Sequence, residues 1–194
     1  YVTTYDWNGT EWVKRPDPSV LPPYAAYGVA LTPDGAVMAV AHRDSPYVTT
    51  YDWDGEAWVK RPDPASLPTG DAYGVALTPD GAVMAVANAT RSPYVTTYDW
   101  NGTEWVKRPD PSVLPTNTAY GVSLTPDGTV MAVAHVGSPY VTTYDCKPRT
   151  LKVTFDTPPA SGDAITADYT VEGVHKTDQY VIDVSFAIQF GEGV

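Results

Sequence analysis

A chain of 194 residues with a net charge of −11 has room for one domain or a repeat array with an appendage. Its acidity and lack of a basic stripe exclude nucleic acid and anionic membrane surfaces as expected partners. No apolar run approaches a membrane span, so membrane insertion is not expected, and the single cysteine, Cys146, excludes an intrachain disulfide and reads as a structural thiol.

The chain opens on Tyr1 without a Met, inside a segment, Tyr-Val-Thr-Thr-Tyr-Asp, that returns at Tyr47, Tyr94 and Tyr140. A processed or truncated piece of a longer protein is therefore expected. The copies are spaced 46, 47 and 46 residues apart, and the 19 Pro and 15 Gly recur at fixed places within them. That is the punctuation of short strands and tight turns, and a period in the forties suits a four-stranded unit.

Asn8-Gly9, Asp54-Gly55 and Asn101-Gly102 predict type I′ hairpin turns, with both central residues at positive φ. Asp34-Gly35, Asp80-Gly81 and Asp127-Gly128, each preceded by Pro, predict a second hairpin per unit. The strands expected in the best-covered unit are A at 27–31, B at 37–41, C at 47–52 and D at 58–61. A and B are apolar on both faces, so they require cover on both sides, as when one sheet stacks on the next. Strand C alternates, which predicts a half-exposed outer strand.

The run Tyr-Gly-Val-Ala-Leu-Thr-Pro-Asp-Gly-Ala-Val-Met-Ala-Val-Ala, followed by Ser-Pro-Tyr-Val-Thr-Thr-Tyr-Asp-Trp, resembles blades of the WD40-like and YVTN families. This resemblance implies an all-β fold, a β-propeller of four-stranded antiparallel blades over 1–146. About three blades are present, whereas closed propellers use about four to eight. Self-association into a completed ring, or blades missing from the N-terminus, is expected.

At Cys146 the repeat breaks, and 147–194 reads as a small C-terminal β-region with strand-like runs at 151–156, 164–172 and 180–190. Run 151–155 is a candidate for the last blade's outer strand. The segments Phe-Asp-Thr-Pro-Pro, Ala-Ile-Thr-Ala-Asp-Tyr-Thr-Val and Ile-Gln-Phe-Gly-Glu-Gly resemble C-terminal regions of phage tail-associated structural proteins. This resemblance implies a non-enzymatic virion component, with other virion proteins as partners and the propeller as a display or receptor-binding module. The alternative is a carbohydrate-binding propeller of cellular origin.

The residues offer little chemistry. His42, His135 and His175 have no metal-ligand spacing around them, and no phosphate loop or nucleophile elbow is present. No catalytic residue, metal or cofactor is expected, and the chain is read as not an enzyme. The Asp52-Trp53-Asp54-Gly55 segment lacks the oxygen ligands of a calcium loop. Trp7, Trp12, Trp53, Trp58, Trp100 and Trp105 flank the C–D turns. Either they stack on sugar rings or they pack across the hairpins and between blades, and packing is the favoured reading.

The copies are largely verbatim, yet they differ most in two loops, with smaller differences at Asp54, Glu56, Ala57 and Ala65-Ser66. Pro23-Tyr24-Ala25 becomes Thr69-Gly70-Asp71 and then Thr116-Asn117-Thr118. His42-Arg43-Asp44 becomes Asn88-Ala89-Thr90-Arg91 and then His135-Val136-Gly137. These are the D–A and B–C loops, which share one face of a propeller. Candidate contact residues toward a host-surface glycan or receptor are Tyr24, His42, Arg43, Asp44, Asp71, Asn88, Thr90, Arg91, Asn117 and His135; relaxed drift in exposed loops is the competing account.

Overall fold

A computed structural model of the chain describes residues 2–145, 149–150 and 180–181. By compactness the chain divides into Tyr1–Cys146 and Lys147–Val194.

In the first unit, a hairpin of β1 (Tyr5–Trp7) and β2 (Trp12–Lys14) precedes two complete four-stranded sheets. One runs β3 (Ala26–Leu31), β4 (Val37–His42), β5 (Val48–Trp53) and β6 (Trp58–Lys60). The next runs β7 (Ala72–Leu77), β8 (Val83–Asn88), β9 (Val95–Trp100) and β10 (Trp105–Lys107). A three-stranded sheet of β11 (Ala119–Leu124), β12 (Val130–His135) and β13 (Val141–Asp145) follows. Every pairing in this unit is antiparallel between sequence neighbours, so each sheet is a meander, and the sheets do not close a ring. The expected A-to-D strands are all present, with ends shifted by a residue.

Of the C-terminal unit, a short parallel pair is described, β14 (Arg149–Thr150) with β15 (Tyr180–Val181). The strand runs expected at 151–156 and 164–172, the outer-strand candidate at 151–155, most of the run at 180–190, Cys146 and His175 lie outside the described residues.

Turn chemistry differs between the two hairpins. In Thr32-Pro33-Asp34-Gly35 the amide of Gly35 donates to the Thr32 carbonyl at 2.8 Å, and Gly35 has φ 68. Pro33 presets the first turn dihedral, while the Asp34 carboxylate accepts from the Thr32 hydroxyl at 2.6 Å and the Ala36 amide at 3.0 Å. The C–D turn is not the expected type I′. Trp7 pairs with Trp12, leaving a four-residue loop in which Gly9 has positive φ and Asn8 does not. The Asn8 side-chain oxygen accepts the Thr10 and Glu11 amides, each at 2.9 Å, so Asn closes the loop by side-chain capping. The same capping by Asp54 and Asn101 closes the next two loops.

The sheets stack face to face, and strand B shows why they fit. Val-Met-Ala-Val-Ala places Met38 and Val40 on one face and Ala39 and Ala41 on the other. The small face, with Val48, packs on Val75, Met84, Val86, Tyr98 and Trp105 of the next sheet. Ala85, Ala87 and Val95 repeat this against Ala119, Met131 and Val133. Flat Ala surfaces let backbones approach while large side chains from the neighbour fill the volume. Strand C corrects the sequence reading: Val48, Thr49, Thr50 and Tyr51 are all buried, so β5 is covered on both faces. Alternation there reflects a wall of one sheet meeting the Trp-bearing hairpin of another, not solvent.

At the inner end the strands A of neighbouring sheets nearly touch. A Cβ on Gly28 would lie 2.7 Å from the Tyr73 carbonyl oxygen, and one on Gly74 would lie 2.7 Å from that of Tyr120. Glycine is required there by proximity, and the narrow end of each wedge is set by it.

Candidate functional site

The outer end of each stack is held by Trp and Arg. Trp58 and Trp105 are 1% exposed and donate from Nε1 to Thr4 and Thr50 of the preceding sheet, at 2.9 and 2.8 Å. Trp53 and Trp58 lie 5.2 Å apart between ring centroids, as do Trp100 and Trp105. The Arg15 guanidinium sits 4.5 Å over Trp53, and Arg61 sits 4.3 Å over Trp100. Each Arg is gripped by a carboxylate of its own hairpin, Asp6 or Asp52, through its Nε and Nη2. Trp53, Trp58, Trp100 and Trp105 are therefore inter-blade staples, in line with the packing reading, whereas Trp7 and Trp12 pair 5.5 Å apart across their own hairpin and remain exposed. Asp52 and Asp54, the acidic pair of the supposed calcium loop, are engaged by Arg61 and by the Glu56 and Ala57 amides. No group of three His, Cys, Asp or Glu able to hold a metal occurs among the described residues, nor among them a helix long and apolar enough to cross a membrane.

The two variable loops of each unit meet. The Arg43 amide donates to the Ala25 carbonyl at 3.1 Å, Ala89 to Asp71 at 2.8 Å, and Val136 to Thr118 at 2.9 Å. The candidate residues then fall into two sets. Tyr24, Arg43, Thr90, Arg91 and Asn117 are exposed, and Asp44 and Asp71 are half-buried. Arg43 lies 3.8 Å from both Asp44 and Asp71, which joins the B–C loop of one sheet to the D–A loop of the next.

His42, Asn88 and His135 are buried and face inward. His42 Nε2 lies 2.9 Å from the Thr49 hydroxyl and Nδ1 lies 3.0 Å from the Arg43 carbonyl oxygen. His135 meets Thr142 and Thr116, and Asn88 meets Thr69 and the Arg91 carbonyl. These side chains brace the loops from beneath, a role their variation between copies does not disclose.

Burial holds the His42 imidazole below its ordinary value of 6.5, against smaller upward pulls from the Arg43 and Asp44 backbone and the Asp63 and Asp44 carboxylates. Because the folded state binds this proton less readily than the unfolded chain, its contribution is complete above about 6.5 and is lost as the pH falls through that value toward the depressed one. Wild type is expected to lose stability relative to His42→Asn between pH 7.5 and 5, read by urea denaturation at each pH. An unchanging difference between the two proteins refutes it.

Sequence reading missed one set. In each sheet a bulge interrupts the A–B ladder, between Ala26 and Gly28, Ala72 and Gly74, and Ala119 and Gly121. The extra residue is Tyr27, Tyr73 or Tyr120. The three rings stack in series, 5.0 Å from Tyr27 to Tyr73 and 5.1 Å from Tyr73 to Tyr120. Tyr27 and Tyr120 remain 48% and 54% exposed.

No family model and no curated protein matches the chain. Among solved structures, one from Bacteroides uniformis named as a 6-phosphogluconolactonase aligns with a TM-score of 0.55 at 13% identity, over 74% of this chain and 43% of that one. A Bacteroides fragilis protein of the same name gives 0.54 at 15% identity, over 65% and 36%. Hydrazine synthase from Kuenenia stuttgartiensis gives 0.50 at 22% identity, over 72% and 36%. Stacked four-stranded antiparallel meanders, taken with the likeness to these structures, decide the architecture.

The fold is a β-propeller. The propeller blades span less than half the length of each of these proteins. The expectation of a non-enzymatic phage virion protein is corrected by the same comparison, since the structures sharing the fold are named as enzymes and none of these three as a phage protein. The reason is physical: blade patterning encodes stacking, and the same stack carries catalysis in one protein and display in another. The absence of an acid–base motif from the sequence was no evidence against an enzyme.

Proposed function

We propose that the chain is the blade-bearing segment of a cellular β-propeller that recognises a ligand on the face formed by its D–A and B–C loops. One observation carries this reading. Copies that are otherwise nearly verbatim diverge at loops that the backbone joins in pairs, while the braces beneath them remain hydrogen-bonded in every blade. Such a face varies its contacts without disturbing the stack. Uncovered Val29 and Leu31 on the outward face of β3 further support association with another blade, from this chain's neighbours or from a second copy.

Grafting Thr69-Gly70-Asp71 and Asn88-Ala89-Thr90-Arg91 into the first and third blades is the test. The graft is expected to change the binding profile on a mixed array of glycans, peptides and metabolites, with melting temperature kept within a few degrees. An unchanged profile leaves drift as the account of the loops. The enzyme names of the propellers sharing this fold make turnover part of the same experiment, followed by mass spectrometry of each bound compound.

A further inference from the structure

The tyrosine series at the inner edge of the blades is unexplained by stacking alone. A residue in a regular strand points to one of two faces; the bulge removes Tyr27, Tyr73 and Tyr120 from that alternation and re-aims them. They are placed at the start of strand A, two residues past the D–A loop in the first blade, and so beside the loop face.

Their hydroxyls also differ from those of the strand-C tyrosines. Tyr51 and Tyr98 donate to the carbonyls of Val20 and Ser66 at 2.9 and 2.8 Å, which locks them into the fold. No hydrogen bond ties the hydroxyls of Tyr27, Tyr73 and Tyr120 to the described residues. Three phenols in a row, about 5 Å apart from ring to ring and each able to donate and accept, make a ladder of polar edges on an aromatic wall.

We propose that this arc is a subsite for a neutral carbohydrate chain on the propeller's loop face, a proposal that rests on the ligand-binding reading above. Sugars offer the complement of the ladder: a row of hydroxyls along the chain that both donate and accept. The strand segments bearing the tyrosines, Ala-Tyr-Gly-Val, carry no charge, so an ionic ligand gains no counter-charge from them.

The test uses the full chain with cellohexaose and maltohexaose in titration calorimetry. At least one is expected to bind, and Tyr73→Phe, which keeps the ring stack and removes the central hydroxyl, should weaken it about fivefold. Tyr27→Ala, at an exposed end, should weaken it without altering the melting temperature by more than a few degrees. Binding that Tyr73→Phe and Tyr27→Ala leave unchanged overturns the arc. If the loop graft shifts the array profile at the same time, the loop-face reading survives without it. No binding of either sugar at millimolar concentration overturns the carbohydrate assignment, again independently of the graft.

Discussion

Gly74→Ala is expected to lower stability by about 3 kcal/mol, or roughly 10 °C in melting temperature, the upper range for overpacking a filled interior. The added methyl would sit 2.7 Å from the Tyr120 carbonyl oxygen and 3.1 Å from the Gly121 Cα. Both are backbone atoms of the neighbouring blade, so no side chain can swing aside and the wedge itself must open. Gly121→Ala supplies the control, because the identical local sequence there meets only the Ala134 Cβ at 3.8 Å. The first change should be costly and the second nearly neutral in thermal denaturation. If Gly121→Ala proves equally costly, another blade lies against β11, and light scattering on the same samples shows whether a second copy supplies it.

Arg61→Ala should cost about 3 kcal/mol through a different mechanism. The Arg61 side chain is 8% exposed; it grips Asp52 with two nitrogens and lies over Trp100. A planar cation desolvated against an indole contributes more than an exposed ion pair, and truncation also leaves the Trp100 face unpacked. Asp52 is about half exposed, so Asp52→Asn should cost only about 1 kcal/mol. Arg61→Lys should recover little, since a point charge neither bridges both carboxylate oxygens nor covers the ring. Urea denaturation followed by tryptophan fluorescence measures all three. Equal costs for Arg61→Ala and Asp52→Asn would show that the ion pair, rather than the stacked cation, holds the blades.

The strands and hairpins were legible because their determinants are contiguous. Thr32, Pro33, Asp34 and Gly35 close their own turn, and the two-sided apolar pattern of β4 demands neighbours on both faces. Even there, local reading erred where two solutions share one sequence signal. Asn-Gly serves a type I′ turn or a capped four-residue loop, and the Trp7–Trp12 register selects the second. Alternation in β5 likewise fits either solvent or a second wall, and stacking supplied the wall.

Period, the four strands of a blade, both hairpins and the need for stacking are written in neighbouring residues, since each depends on groups a few residues apart. Folding in three dimensions settles the rest: His42 and its equivalents brace the loops from inside, Arg61 staples one blade to the tryptophans of the next, and three bulged tyrosines line up. The tyrosine series and the Arg61 staple join residues of successive copies, and the His42 brace depends on the B–C loop folding back over strand C. The tyrosine series follows from how closely glycine-faced strands approach at the inner edge, a distance that no single copy encodes alone.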